Sequence, residues 1–296
     1  MREVPKNQFR KILPQICDRE TTADALRWDS KLPLWGHCAA VSLLAQNLYG
    51  GELMRASLKG TPFEFMGSHY WNKFLDGAEE DFTAPQFGNT YPELKDAATC
   101  TREYVLFDPK TGAPREIMSR YKLLCYRLAK SLDPGVDILK NWIYEAGFKA
   151  ALDSPCQKMK FGCAIVHGNE VKAVTSNGTI APLAHLCEPT CIRFNIQSRT
   201  DSLMGACGHA EEYALQKARD LELPLKECTF AVIGLYPNGL PWLDRSPEFT
   251  CLLCARQLYM AGVGSLFFPV RTGWVRQSAE DAVVSALRYA QGEKQV

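Results

Sequence analysis

The chain has 296 residues, 46% of them hydrophobic and 23% charged, with a net charge of +1. That balance excludes a disordered chain, and no run approaches 18 uninterrupted apolar residues, so no transmembrane helix and no membrane partner are expected. Residues 1–132 hold 18 basic and 16 acidic side chains and the remainder 16 and 17, so neither half is a basic body built for duplex DNA.

The opening stretch, residues 1–20, carries charges throughout and has no apolar core of an export signal, which predicts a cytoplasmic protein. The 12 cysteines are then read as core residues, metal ligands or a nucleophile, not as a disulfide framework. Trp35-Gly36-His37-Cys38-Ala39 starts a helical run that ends at Leu48, before Gly50-Gly51. Cys38 falls in its first turn, where a thiol has a depressed pKa and gains nucleophilicity. A β-hairpin follows: 69–74, a Leu75-Asp76-Gly77 turn, then 78–83. With the turn centred near residue 75, His69 and Asp81 fall opposite each other, close enough for a histidine–carboxylate hydrogen bond. Cys38 would complete a triad of nucleophile, base and orienter. Cys17, Cys100 and Cys125 have no such surroundings and read as structural. After a loop at 108–114, residues 121–131 form a helix. Leu132-Asp133-Pro134-Gly135 then breaks the chain into domains 1–132 and 133–296.

The second half alternates. A helix is expected over 138–152, and strands over 161–167 and 171–175 around a Gly168-Asn169 turn. Residues 176–207 read as irregular. A helix over 209–221 follows, with Ala214 and Leu215 on its apolar side. Then come a strand over 228–235, a helix over 251–261 ended by Gly262, a strand over 265–270, and a helix over 279–290 ended by Gly292. An opening hairpin followed by alternating strands and helices predicts an α/β sandwich with a mixed sheet.

His209-Ala210-Glu211 and Cys251-Leu252-Leu253-Cys254 carry the chemistry. At i and i+3 near a helix start, both sulfurs share one side, and the helix N-terminus favours their thiolates. His209 heads another helix and adds a nitrogen. Three protein ligands leave the fourth tetrahedral position of zinc open for water, whose pKa then drops to roughly 7. Glu211, two residues on, can take a proton from that water and pass it to a ring nitrogen and the departing amine. This is chemistry for hydrolytic deamination of a carbon such as C4 of cytosine. The rival for Cys251 and Cys254 is half of a structural zinc knuckle.

Residues 140–290 resemble the cytidine and deoxycytidylate deaminase superfamily. The runs Cys191-Ile192-Arg193, Ser198-Arg199-Thr200 and Cys207-Gly208-His209-Ala210-Glu211 resemble its free-nucleotide branch. The resemblance implies a three-layer αβα sandwich around a mixed five-stranded sheet. It implies zinc on His209, Cys251 and Cys254, Glu211 as proton shuttle, and Asn177, Phe161 and Ala210 as substrate contacts. It further implies a homo-oligomer. The chain departs from the family pattern twice. Thr250 stands where proline usually precedes the first cysteine, and Tyr213 stands where many deoxycytidylate deaminases have asparagine. His185, Cys187, Cys191 and Cys207 are either a second, structural zinc set or small buried side chains. Cys156, Cys163 and Cys228 read as core.

Residues 8–130 resemble the YunG-like group of papain-fold proteins. The matching runs are Trp35-Gly36-His37-Cys38, His69-Tyr70-Trp71-Asn72, Asp81-Phe82-Thr83-Ala84-Pro85-Gln86-Phe87 and Arg120-Tyr121-Lys122-Leu123-Leu124. The resemblance implies an α+β papain-like domain with Cys38 as nucleophile, His69 as base and Asp81 as orienter, or a degenerate domain that only binds.

The function expected is therefore zinc-dependent hydrolytic deamination of a cytosine-type nucleoside or nucleotide. In it, zinc-bound hydroxide attacks the amine-bearing carbon and ammonia leaves. One alternative moves the same chemistry onto single-stranded nucleic acid, with Lys158, Lys160, Arg193, Arg199, Phe161 and Phe194 as its groove. Another makes the protein a cysteine-dependent hydrolase or binding module on a zinc-stapled scaffold.

Overall fold

A computed structural model describes residues 4–132, 142–196, 207–243, 250–270 and 273–291. The chain divides into two compact units between Ser131 and Leu132.

In the first unit, helix α1 (Lys6–Ile16) buries Phe9, Ile12, Leu13 and Ile16 along one stripe. Helix α2 (Cys38–Tyr49) is apolar nearly all round and is correspondingly buried from Ala40 to Ala45. It ends at Gly50, whose N–H bonds Gln46 O at 2.9 Å. Strands β1 (Glu52–Ser57), β2 (Ser68–Lys73), β3 (Glu79–Glu80) and β4 (Lys95–Cys100) form an antiparallel sheet in the order β3-β2-β1-β4. Helices α3 (Arg102–Leu106) and α4 (Ile117–Leu132) complete the unit. β2 lies along α2, and the buried Asn72 amide donates to Ser42 O at 3.0 Å. That tether holds the end of β2 against the second turn of α2.

The hairpin register differs from the expected one. Asn72 pairs with Glu80 and Lys73 with Glu79, and the pairing stops there. Carried on, this register puts Trp71, not His69, opposite Asp81. The turn is centred at residue 76, one residue later than the expected 75, so His69 and Asp81 are diagonal neighbours on one face.

The second unit opens with helix α5 (Trp142–Leu152), which buries Tyr144, Phe148 and Ala151. Residues 138–141 of the expected helix lie outside the described residues. Strands β5 (Lys160–His167) and β6 (Glu170–Ser176) are the predicted hairpin. The stretch read as irregular contains a two-residue ladder, β7 (Gly178–Thr179) on β8 (Cys207–Gly208), and a 3-10 helix at Ala181–Cys187. Such short pairing has no periodicity to read and is set by tertiary contacts. Helix α6 (Ala210–Asp220), strand β9 (Cys228–Leu235), helix α7 (Leu252–Met260), strand β10 (Ser265–Val270), strand β11 (Gly273–Ser278) and helix α8 (Ala279–Ala290) follow.

The main sheet has the order β11-β10-β9-β5-β6. It is mixed: β10 runs parallel to β9, and the other neighbours are antiparallel. Successive residues of a strand face opposite sides. Gly162 of β5 faces α5, with Gly147 O and Ala151 N nearest it. Cys163 and Ile165 of β5, with Phe230 and Val232 of β9, share one buried cluster with Ala214 of α6, Leu258 of α7 and Ala282 of α8. The parallel β9–β10 pair brings the N-termini of α6 and α7 together at one end of the sheet, which is where ligands bind in open α/β sheets.

Candidate metal centre and active-site residues

His209 is the N-cap of α6, and its backbone N–H donates to Glu212 Oε2 at 2.7 Å in a capping box. Cys251 is the N-cap of α7, and its sulfur accepts from Cys254 N at 3.4 Å. The two caps place three donor atoms together. His209 Nδ1 lies 3.1 Å from Cys254 Sγ and 3.3 Å from Cys251 Sγ, and all three atoms lie within 4.8 Å of one another. Ligands of a tetrahedral zinc, at about 2.1 Å for nitrogen and 2.3 Å for sulfur, sit roughly 3.5–3.8 Å apart, so this set fits the metal.

The electrostatics suit a cation. The Cys251 thiol is pulled down to about 4, first by the hydrogen bond from the Cys254 thiol and then, against burial, by His209. Cys254 moves the opposite way because it holds the shared proton and is buried. The hydrogen bond to Cys251 raises His209 to about 9.

Glu211 is buried at the first turn of α6. Burial pushes its carboxyl up, opposed by the field of His209 and by a hydrogen bond from Thr250. Thr250 Oγ1 donates to Glu211 Oε1 at 2.6 Å. Thr250 thus has a partner that sequence reasoning did not give it. A pocket opens beside this carboxylate, lined by Phe161, Asn177, His209, Ala210, Glu211 and Trp242, among others. Phe161 and Trp242 meet edge to face at 5.9 Å. Asn177 Oδ1 accepts from Phe161 N at 2.7 Å and Ser154 Oγ at 2.6 Å, and its Nδ2 donates to Met159 O at 3.1 Å. Asn177 therefore holds the edge of the pocket that it lines. Thr175 Oγ1 donates to Ala210 O at 2.8 Å.

In the first unit the structure brings Cys38, His69 and Asp81 together. His69 is fully buried, and its Nε2 bonds Asp81 Oδ2 at 2.8 Å. The Cys38 thiol lies near enough to the same ring to help raise it. Asp81 also accepts from Tyr91 Oη at 3.0 Å and from Thr83 N and Oγ1, both at 2.8 Å. Its carboxyl stays low despite burial, through His69 and Thr83. Burial alone would depress His69, but Asp81 and Cys38 outweigh it and raise the imidazole to about 9.

The family model of the cytidine and deoxycytidylate deaminase zinc-binding region matches residues 139–269, and that of the YunG protein matches residues 5–133. The first half of the chain is thus similar to YunG and the second half to the deaminase zinc-binding region. No curated protein matches the chain. In the deaminase domain, the ring of Tyr213 lies against Gly208, where a Cβ would come within 2.5 Å of it. The tyrosine at the place of the usual asparagine is thus accommodated by a glycine one residue before the metal ligand.

Several cysteines differ from expectation. Cys156 and Cys207 line the pocket, where Cys156 was read as core, while Cys163 and Cys228 are core. Cys187 shares hydrogen bonds with Cys191 and Cys207, and burial pushes Cys207 up to about 12. Among the described residues, His185, Cys187, Cys191 and Cys207 do not bring three donor atoms as close as the His209 set. Lys158 donates to Arg193 O at 3.1 Å and to Ile196 O, and Lys160 to Ser154 O. Both ammonium groups are held by backbone carbonyls, and Lys158 lines the pocket. Ser198, Arg199 and Thr200 lie outside the described residues. Among the described residues, no helix is long and apolar enough to cross a membrane.

Proposed function

We propose that the deaminase domain is a three-layer αβα zinc enzyme that hydrolytically deaminates a cytosine-type nucleoside or nucleotide. The observation that carries this is the meeting of His209, Cys251 and Cys254 beside the buried Glu211 in the wall of a pocket. A zinc ion with three protein ligands supplies a Lewis acid that brings a water molecule's pKa to near neutrality.

The chain's own residues do the rest. Glu211, whose carboxyl burial pushes up, would accept the water proton on its carboxylate. It returns that proton to the pyrimidine ring nitrogen and to the departing amine. Thr250 fixes which way the carboxylate points. Phe161 and Trp242 form an aromatic corner for a flat heterocycle. Asn177 contacts the sugar. The engaged ammonium groups of Lys158 and Lys160 and the near-zero net charge support a small molecule over a polymer.

The test is ammonia release from cytosine, cytidine, deoxycytidine, their monophosphates and a single-stranded oligonucleotide, with zinc content measured in parallel. Turnover is expected on a nucleoside or nucleotide. Cys251→Ala loses both zinc and turnover, whereas Glu211→Ala keeps zinc and loses roughly 100-fold or more in rate. Undiminished ammonia release by Glu211→Ala rejects the mechanism, and turnover of the oligonucleotide alone rejects the substrate class.

A further inference from the structure

The YunG domain contains a second set of groups that the deaminase reaction does not use. Cys38 stands at the first position of α2, preceded by Gly36 at a φ of +72°, where a Cβ would come within 2.4 Å of Thr22 Oγ1. That glycine lets the chain turn sharply into the helix. No side chain caps the first turn of α2, so its leading N–H groups remain available, as at any helix start. The Asn72–Ser42 tether holds β2 against α2, and His69 presents Nε2 to Asp81. Nδ1 of His69 also has Gln86 Nε2 at 3.4 Å, and Gln86 Oε1 accepts from Gly36 N at 3.2 Å. Gln86 thus links the base to the loop that carries the thiol, as a positioning residue. The imidazole is packed by Trp71, Phe87 and Tyr91, with ring centroids 6.0, 4.9 and 6.3 Å away.

Cys38 lines a cleft of about 340 Å³ together with Gly36, Ala39, Tyr70, Arg27 and Arg120. Arg27 pairs with Asp24 at 2.9 Å. Arg120 donates to Thr22 O at 3.0 Å and, among the described residues, has no carboxylate oxygen within 4.0 Å. Its guanidinium interacts electrostatically with Glu116 and, after it, with Cys38. Among the described residues lining the cleft, Arg27 and Arg120 against Asp24 leave one positive charge in excess.

We propose that this cleft is a second active site, a thiol hydrolase site acting on an acyl substrate that carries an anionic group near the scissile carbonyl. Cys38 is the nucleophile, His69 the base, Asp81 its orienter and Arg120 the anchor for the anion. The Cys38 sulfur bonds to the carbonyl carbon as the thiol proton passes to His69 Nδ1. The bond from that carbon to the leaving nitrogen or oxygen breaks, and the leaving group takes the proton from His69. Water then adds to the thioester carbon, giving a proton to His69. The carbon–sulfur bond breaks, and the proton returns to sulfur. No oxidation is involved, and water is the only co-reactant.

The test uses the full-length protein. Iodoacetamide at about pH 6, read by mass spectrometry of cysteine peptides, is expected to label Cys38 at least about tenfold faster than any thiol outside the metal set. Iodoacetate, which carries a carboxylate, labels Cys38 faster still. Arg120→Gln reverses that order, read as the ratio of the iodoacetate to the iodoacetamide rate at Cys38 in each protein. The protein hydrolyses the monoester p-nitrophenyl succinate in preference to p-nitrophenyl acetate, and Cys38→Ser, with zinc content intact, does not. Labelling of Cys38 no faster than Cys156, or hydrolysis that survives Cys38→Ser, overturns the site. An iodoacetate preference unchanged in Arg120→Gln overturns the anionic specificity. Glu211→Ala leaves every one of these readouts in place, so this site stands or falls separately from the deaminase.

Discussion

The Thr250 hydroxyl donates a 2.6 Å hydrogen bond to Glu211 Oε1, joining the residue just before Cys251 to the carboxylate two residues beyond His209. Both groups are buried, so the bond is made in a low dielectric, where it counts for more than in water. A proline at position 250 could not make it.

Removing that hydroxyl should therefore cost turnover without costing metal. Thr250→Val is expected to lower the deamination rate by roughly tenfold or more, the worth of a hydrogen bond to a charged group. Thr250→Ser should restore most of it, and both should retain full zinc by metal analysis. Normal turnover in Thr250→Val would show that Glu211 is oriented by something else.

Packing around Tyr213 makes a second prediction. Gly208→Ala places a methyl group against the tyrosine ring, an overpacking worth about 1–3 kcal/mol. Combining it with Tyr213→Asn should recover much of that loss, giving a coupling in a double-mutant cycle measured by chemical denaturation. Additive effects would mean that the ring does not lie where it is described.

The His69–Asp81 pair gives stability a definite pH dependence. The folded value of His69, about 9, lies above its ordinary value of 6.5. Its contribution is complete below about pH 6.5 and is lost as pH rises through about 9. For Asp81, held below its ordinary value, the contribution is present at neutral pH and is lost as pH falls into the acid range. Unfolding free energy should therefore drop between about pH 6.5 and 9 by an amount on the order of 3 kcal/mol. His69→Gln should remove that part of the slope. Parallel pH curves for the two proteins would contradict it.

Metal removal should act on the second unit. The His209, Cys251 and Cys254 side chains come from two helix starts, so a bound metal staples α6 to α7. Chelation is expected to lower the thermal unfolding temperature of the protein by several degrees, about 1 kcal/mol or more at this size, with recovery on adding zinc. Cys254→Ala should unfold at the chelated temperature whether or not zinc is present.

Much of this could be read from the chain alone, for physical reasons specific to each place. Strand β10 and helix α8 match the expected ranges because strong apolar patterning and clear stops bound both. The two metal-ligand helices were visible because each ligand motif sits at a helix start. Strand β11 was missed because it is an edge strand, half-exposed along its length, without the alternation that marks a half-buried strand. The hairpin register slipped by one because turn composition alone does not say which residue is central. Trp242 meets Phe161 across a long stretch of sequence and nothing local marks it, and Gln86 was visible only inside a family run, its contacts to Gly36 and His69 needing the fold. Arg120 was visible only as part of a family run, and its place beside Cys38 needed the fold.

Zinc K-edge X-ray absorption on the purified protein tests the metal chemistry most directly. Two sulfurs at about 2.3 Å, one imidazole nitrogen and one exchangeable oxygen at about 2.0 Å are predicted, with the sulfur shell lost in Cys251→Ala. A closed shell of four protein ligands, or protein that binds no zinc, would contradict it.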